Sequence, residues 1–336
     1  MTISWIIDHF CNLRCGHCYV DSVTKQTTNR ISDNEIRQIC KNISTISPEG
    51  IIISGGEPLL HPNLFSYLRE TGRITEKLWI CSNATVITRE LIRRIKDFAV
   101  AGFSISLESP KDFINDQIRG QGSTRKIITA ISLLRESGFD LIIDVTLMKD
   151  NIDHIELFFD FLTKYGIEKI TFTRFRPIGR GARNKMKFSY NQSRHKEVLE
   201  KIVDCVIRYR DKVKVSVHDP LYEIVLSDYC SKNGLEISSL RSSQSYGCKA
   251  GTFWVGIGPN GDVSPCPLLL NLGVVIGNVL QQGLKEIIDN SKMIKKIQRR
   301  RSGINGCKNL GLCGCCLAHT YSCTQNLFAK DPMCWV

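Results

Sequence analysis

The chain has 336 residues, 42% of them hydrophobic and 23% charged, which is enough to bury one large domain and a smaller second one. No run of about 18 apolar residues occurs, which excludes a transmembrane helix, and the opening "MTISWIIDHF" has no basic stretch before its short apolar run, which argues against a secretory signal. The net charge of +12 comes from dispersed bases, and "KKIQRRR" at 295–301 reads as a solvated helix face, so nucleic acid is not the expected partner and the cytoplasm is the expected compartment.

Fifteen cysteines in a reducing compartment are expected as thiols, and a tight cluster of them then points to metal ligation rather than a disulfide framework. Three stand at Cys11, Cys15 and Cys18, and eight between Cys248 and Cys334. Cys40, Cys81, Cys205 and Cys230 are scattered and read as small buried hydrophobes.

From residue 1 to about 218, short apolar runs alternate with amphipathic stretches. The predicted strands are "ISWIID" (3–8), "GIIIS" (50–54), "KLWIC" (77–81), "GFSISL" (102–107), "LIIDVTL" (141–147) and "KITFTRF" (169–175). Each is followed by a helical pattern. In "SDNEIRQICKNI" Ser32 is a natural N-cap and Glu35 completes a capping box, while "TRKIITAISLLRESG" stops at a glycine. Six such units predict a parallel sheet with right-handed crossovers, either open and doubly wound or a partial barrel. Functional residues are then expected at the C-terminal ends of the strands. The notable segments fall there: "CNLRCGHCY" (11–19), "GGEP" (55–58), "SNAT" (82–85), "SLES" (106–109) and "RFRPIGRG" (174–181).

Three thiols in eight positions suit a cubane iron–sulfur cluster, in which thiolates normally hold each of four irons. Three ligands leave one iron free to take a substrate or cofactor. A zinc site would want a fourth protein ligand, for which His17 or His9 is available. The glycine pair at 55–56 offers bare backbone to a ligand, and Glu57 sets a carboxylate beside it.

In this order, at the ends of adjacent strands, these motifs resemble the radical S-adenosylmethionine (SAM) superfamily over the N-terminal two thirds of the chain. The resemblance implies that Cys11, Cys15 and Cys18 ligate a [4Fe-4S] cluster with His17 and Tyr19 as its immediate cover. It implies that Gly55, Gly56 and Glu57 hold the amino group of SAM, and it puts Asn83, Ser106, Glu108 and Arg176 where the family often contacts that cofactor. The implied chemistry is reductive cleavage of SAM to methionine and a 5′-deoxyadenosyl radical that abstracts hydrogen from a substrate, with a flavodoxin- or ferredoxin-like protein as electron donor.

Beyond a polar, serine-rich stretch at 219–247, taken as a linker, the composition changes. "GPNGDV" predicts a hairpin turn with Cys248 before it and Cys266 after it, and eight thiols suffice for two four-cysteine sites, with a zinc ribbon as the other reading. The order of Cys248, hairpin, Cys266, a "GN" segment and a cysteine-dense tail ending in "DPMC" resembles a SPASM domain, which carries one or two auxiliary [4Fe-4S] clusters. The family's Cys-x2-Cys opening is broken here, because Ile304 stands three residues before Cys307. By order, Cys248, Cys266 and Cys316 are assigned to the first auxiliary cluster and Cys307, Cys313 and Cys334 to the second. Cys315 and Cys323 are candidates to fill the gaps, and the adjacent Cys315 and Cys316 are expected in different clusters.

The expected architecture is therefore an α/β, TIM-like partial (β/α)6 barrel over 1–218 and a SPASM domain over 248–336. The expected substrate is an anionic ribosomally made peptide, with a sirohaem-derived tetrapyrrole, a sugar or a nucleoside as the alternative and a non-enzymatic iron–sulfur or zinc scaffold as a remote one. With ten residues before Cys11, no leader-peptide-binding module is expected ahead of the barrel.

Overall fold

The computed structural model describes residues 1–25, 30–241, 247–301, 307 and 309–336. Its strands are β1 (Thr2–Ile6), β2 (Gly50–Ser54), β3 (Leu78–Ser82), β4 (Val100–Ser106), β5 (Asp140–Leu147), β6 (Lys169–Arg174), β7 (Lys214–His218), β8 (Trp254–Ile257), β9 (Asp262–Ser264) and β10 (Gly277–Asn278). They form one sheet in the order β10-β9-β8-β1-β2-β3-β4-β5-β6-β7. The pairings from β8 to β7 are parallel, while β9 pairs antiparallel with β8 and β10 antiparallel with β9.

Parallel strands need long crossovers, and helices between strands supply them here. Ser32 caps helix Asp33–Ile43 with the expected capping box, and helix Ser123–Glu136 ends just before Gly138, whose φ is +79°. Side chains alternate across the sheet. Ile3, Trp5, Ile51, Ile53, Ile80, Phe103, Ile105, Ile143, Val145 and Phe172 are fully buried in the core that the strands share with the helices. The alternate positions Trp79, Cys81, Ser106, Asp144, Thr146, Thr173, Ser216 and His218 are only half-buried. The sheet is also curled: β7 and β8 are separated by six strands, yet the rings of His218 and Trp254 meet at 5.1 Å. The half-buried face therefore lines the lumen of an incomplete barrel.

Three expectations change. β7 was not foreseen, because "KVKVSVH" is short and interrupted by lysines, and it extends the six predicted parallel strands at one edge. The stretch 219–247 is not a bare linker, since helix Tyr222–Asn233 lies in it with Tyr222, Ile224, Val225 and Leu226 buried. That helix is held by apolar contact and by the Arg241–Glu223 ion pair. Finally, β8 pairs directly with β1, Thr2 opposite Trp254, so the C-terminal segment shares a sheet with the barrel. The hairpin over 258–261 forms as expected, with Gly256 opposite Ser264. In the basic run, Ile294 and Ile297 are buried on one face of helix Lys292–Arg301 and Lys295, Lys296 and Arg299 are exposed, but Arg300 is buried and donates to the carbonyls of Leu327 and Ala329. Ile304 lies outside the described residues. Among the described residues, no helix is long and apolar enough to cross a membrane.

Candidate functional site

β1 delivers the first cysteine segment to the C-terminal ends of β2 to β4. All fifteen cysteines are free thiols. Cys11 is buried, Cys15 and Cys18 half-buried, and the three are close enough for their charges to interact. Burial pushes the Cys11 thiol up to about 11, with Glu57, Cys15 and Cys18 adding to the effect. Burial also raises Cys15, against the pull of Arg119. Cys11 and Cys15 thus resist ionising, and three neighbouring thiols call for a cationic partner, which is what an iron cluster supplies. Two buried polar atoms beside them, His17 Nδ1 and Arg119 Nε, have no hydrogen-bond partner among the described residues. The donor set and these orphaned atoms fit a non-protein group at this position. His17 Nε2 is turned onto Glu108 Oε1 at 3.2 Å. Among the described residues, no three His, Cys, Asp or Glu side chains stand close enough to hold a single metal ion.

The glycines after β2 also admit the protein's own backbone. A β-carbon on Gly55 would stand 2.3 Å from the Asp8 carbonyl oxygen, and one on Gly56 2.0 Å from that of Phe10. The close approach is therefore of the protein's own cysteine loop, not only of a ligand. Gly55 also has φ +140°, which side-chain-bearing residues rarely adopt. The Gly56 N–H donates to Asp8 and the Glu57 N–H to Phe10, each at 2.8 Å. The Glu57 carboxylate is consumed by the protein too: it accepts from Leu59 N–H at 3.1 Å, Ser82 Oγ at 2.9 Å and Asn83 N–H at 2.7 Å. Burial raises its carboxyl to about 7 against those three donors.

Asn83 carries the brace onward, its Nδ2 lying 3.0 Å from Asn12 Oδ1 and 3.6 Å from Cys11 Sγ. Glu108 faces the loop as well. It is completely buried, pairs with Arg119 and His17, and accepts from Thr146 N–H at 2.7 Å. Burial would raise its carboxyl, but Arg119 and His17 outweigh that and hold it at about 2. Arg119 in turn sets Nη1 4.0 Å from Cys15 Sγ. Ser106 ends β4 half-buried, with no hydrogen bond to its hydroxyl among the described residues.

Arg176 stands just after β6, as expected, and its side chain turns to the C-terminal thiols. It is buried, and its Nε points at Cys316 Sγ, 3.0 Å away, on the side of the C-terminal thiols. The rest of its loop braces the cysteine segment from behind: the N–H groups of Arg180 and Gly181 donate to the Cys18 carbonyl, and Gly179, at φ +57°, passes so close that a β-carbon would meet the Tyr19 carbonyl at 2.5 Å.

The tail cysteines separate into two groups. Cys248, Cys266 and Cys316 interact electrostatically, and burial first, then these neighbours, push the Cys266 thiol up to about 12. Cys313, Cys315 and Cys334 form the second group, with the Cys313–Cys315 hydrogen bond raising the first thiol and lowering the second. Left-handed conformations at Gly314 and Cys315, φ +71° and +52°, separate the adjacent Cys315 and Cys316 between the groups. Cys307, assigned to the second group by order, is exposed, and Cys323 faces His319 Nε2 at 3.8 Å rather than another thiol. Tyr19 lies between the N-terminal trio and the first tail group: its buried hydroxyl stands by Ser54, with the sulfurs of Cys81, Cys18 and Cys266 nearby. Cys40, Cys205 and Cys230 are buried as expected, whereas Cys81 is half-buried and faces the lumen next to Ser104 and Asp144. The signal for Cys81 was its position in "LWICS", opposite in phase to the core residues Leu78 and Ile80.

Comparison with known proteins agrees with this arrangement. The family model for the radical SAM superfamily matches residues 5–162, and that for the SPASM iron–sulfur cluster-binding domain matches 248–317. The AdoMet-dependent heme synthase of Methanosarcina barkeri is 24% identical over 99% of this chain and 95% of its own. The mycofactocin maturase MftC of Mycolicibacterium smegmatis is also 24% identical, over 99% of this chain and 82% of its own. SuiB of Streptococcus suis, solved with S-adenosylmethionine and with its precursor peptide SuiA, shares the fold at a TM-score of 0.76 and 18% identity, covering 100% of this chain. The alignment takes in 77% of the SuiB chain in the SAM complex and 76% in the peptide complex.

Proposed function

The chain is a radical SAM enzyme with a SPASM iron–sulfur cluster-binding domain, and on that premise we propose that it modifies a ribosomally made peptide, with Cys11, Cys15 and Cys18 holding the SAM-binding cluster. When bound, the cluster and SAM supply reductive cleavage and a hydrogen-abstracting radical. The residues around them position and shield. Glu57 and Asn83 tie the cysteine loop to β2 and β3, Glu108 and Arg119 tie it to β4, and residues 179–181 close it from behind. The backbone of Gly55, Gly56 and Glu57 is the proposed cradle of the SAM amino group.

The observation that carries the peptide reading is the lumen. Its half-buried positions toward the C-terminal strand ends hold hydroxyls (Ser106, Thr146, Thr173, Ser216) and one carboxylate, Asp144, while the lysines in phase with them, Lys169 and Lys214, stand at the opposite ends of β6 and β7, Lys169 paired with Asp140. Such a surface suits amide and hydroxyl groups and does not neutralise a substrate bearing several carboxylates. MftC and SuiB support the same class. The heme synthase, matched over nearly its full length, supports the second reading, a tetrapyrrole.

Challenge of the reduced, anaerobically reconstituted protein separates the two. Peptides from reading frames beside the gene are expected to stimulate 5′-deoxyadenosine formation and change mass. Consumption of a sirohaem-derived tetrapyrrole with no peptide modified would reverse the order.

Electrons are proposed to enter through a cavity of about 300 Å³ lined by Arg14, Gly16, Gln117, Arg119, Asn184 and Lys187, with no acidic residue in its wall. Arg119 links it to Cys15. An acidic flavodoxin- or ferredoxin-like protein matches that charge. Arg14→Glu with Lys187→Glu should slow reduction by such a donor and leave chemical reduction by dithionite unchanged.

A further inference from the structure

The two thiol groups that flank Tyr19 meet cations of opposite status. Arg119 approaches Cys15, but its charge is spoken for by the buried Glu108. Arg176 approaches Cys316, and its other nitrogens meet only neutral oxygens: Nη1 donates to the Arg174 carbonyl at 2.9 Å and Nη2 to the His218 carbonyl at 2.6 Å. No carboxylate hydrogen-bonds this guanidinium among the described residues. Its Nε–H is left for Cys316 Sγ at 3.0 Å, close for an N–H···S contact, and the main favourable charge acting on Arg176 is that sulfur. A buried guanidinium is costly unless negative charge faces it, and the group its Nε–H is directed at is the sulfur of a proposed cluster ligand.

The framework around this contact is rigid. Arg174, at the end of β6, pairs with Asp331 at 2.6 Å, and Asp331 accepts from the Cys316 N–H at 3.3 Å, from His319 Nδ1 at 2.9 Å and from the Met333 N–H at 3.0 Å. Asp219 after β7 holds His195 at 2.6 Å and lies 3.6 Å from Arg174 Nε. The end of β6 thus grips Cys316 twice, at its N–H through Asp331 and at its sulfur through Arg176.

We propose that Arg176 is a positioning residue that raises the reduction potential of the auxiliary cluster held by Cys248, Cys266 and Cys316. The proposal rests on the auxiliary-cluster reading. A reduced cluster carries one more negative charge than an oxidised one, so a nearby cation with no carboxylate hydrogen-bonded to it and an N–H···S hydrogen bond favour reduction. The cluster at Cys11, Cys15 and Cys18 faces a neutralised arginine and receives no such lift. The barrel therefore sets the two potentials apart, with the auxiliary cluster the easier to reduce.

The test uses the full chain with Cys11, Cys15 and Cys18 replaced by alanine, reconstituted anaerobically and titrated by EPR against potential. Arg176→Gln is expected to retain its iron and to lower the reduced-to-oxidised ratio at a fixed potential by at least tenfold, a downward shift of about 59 mV for one electron. Arg176→Lys, which keeps the charge but loses the directed Nε–H, should shift less, and it carries the test if the glutamine variant loses its cluster. An unmoved midpoint at full iron content overturns this proposal alone. Triple-alanine protein without iron and acid-labile sulfide overturns the auxiliary clusters and this proposal with them.

Discussion

The Phe10 carbonyl oxygen lies where the β-carbon of any residue but glycine at position 56 would be, 2.0 Å from it. Gly56→Val must therefore displace the cysteine loop, because backbone on both sides has no room to give. The expected result is loss of iron from the Cys11–Cys15–Cys18 site together with loss of SAM binding, measured as iron content and equilibrium binding in one preparation. A variant with normal iron but no SAM affinity would restore the glycine to a purely ligand-facing role.

The trio itself has a sharper test. Cys15→Ala should abolish cleavage of SAM to 5′-deoxyadenosine, while Cys266→Ala with Cys316→Ala should retain cleavage and lose turnover of the true substrate. Product chromatography reads both. Cleavage that persists in Cys15→Ala would dissolve the assignment of the three N-terminal thiols.

Glu108 predicts a pH effect on stability. Its carboxyl moves from an ordinary 4.5 to about 2 on folding, so its contribution is complete above about pH 4.5 and is lost as pH falls toward 2. Glu108→Gln leaves Arg119 buried without its anion and should cost about 3 kcal/mol at neutral pH, as breaking a buried pair does. Chemical denaturation at pH 7 and pH 3 should show the gap between wild type and variant shrinking at the lower value. An equal gap at both would remove the ionised carboxylate from the explanation.

The division of the tail thiols makes a further distinction. Cys315→Ser should lower the iron content of the triple-alanine protein, because Cys315 faces Cys313 and Cys334. Cys323→Ser should leave it unchanged, because that sulfur faces His319. Iron loss in the second variant would bring Cys323 into a cluster.

Strand order and strand ends were legible because apolar runs of five to seven residues in a parallel sheet are bounded by turn residues, as "GIIIS" and "LIIDVTL" are. The direction of side chains at those ends was not. Glu57, Glu108 and Arg176 each stand at the expected strand end, yet each is used by the protein: the first two brace the cysteine loop and the third reaches the tail. Periodicity reports which face a residue occupies within a strand and says nothing once the chain has left it. The separation of Cys315 from Cys316 was legible as a need, since adjacent thiols rarely serve one cluster. The means, two successive left-handed residues, required the backbone.

Asp144 supplies the last prediction. It stands half-buried in the lumen, hydrogen-bonded to Ser104, with burial lifting its carboxyl to about 6 and the Glu108 charge adding to that against Ser104 and Arg119. Cys81 is its other titratable neighbour, and burial raises that thiol far enough to keep it neutral near pH 7. Asp144 therefore ionises across the range from about pH 5 to 7. An ionised carboxylate accepts hydrogen bonds from peptide N–H and hydroxyl groups more strongly than a protonated one. Substrate affinity is expected to rise over that range, and Asp144→Asn, neutral at every pH, should flatten the rise and weaken peptide binding at pH 7.5 by about tenfold, the order of one charge-assisted hydrogen bond. SAM cleavage without substrate should be unaffected, because Asp144 braces neither the cysteine loop nor residues 55–57. Titration of the SAM-bound protein with peptide at pH 5.5 and 7.5 decides it. A wild-type affinity independent of pH, or an unchanged affinity in the variant, would take Asp144 out of the substrate site.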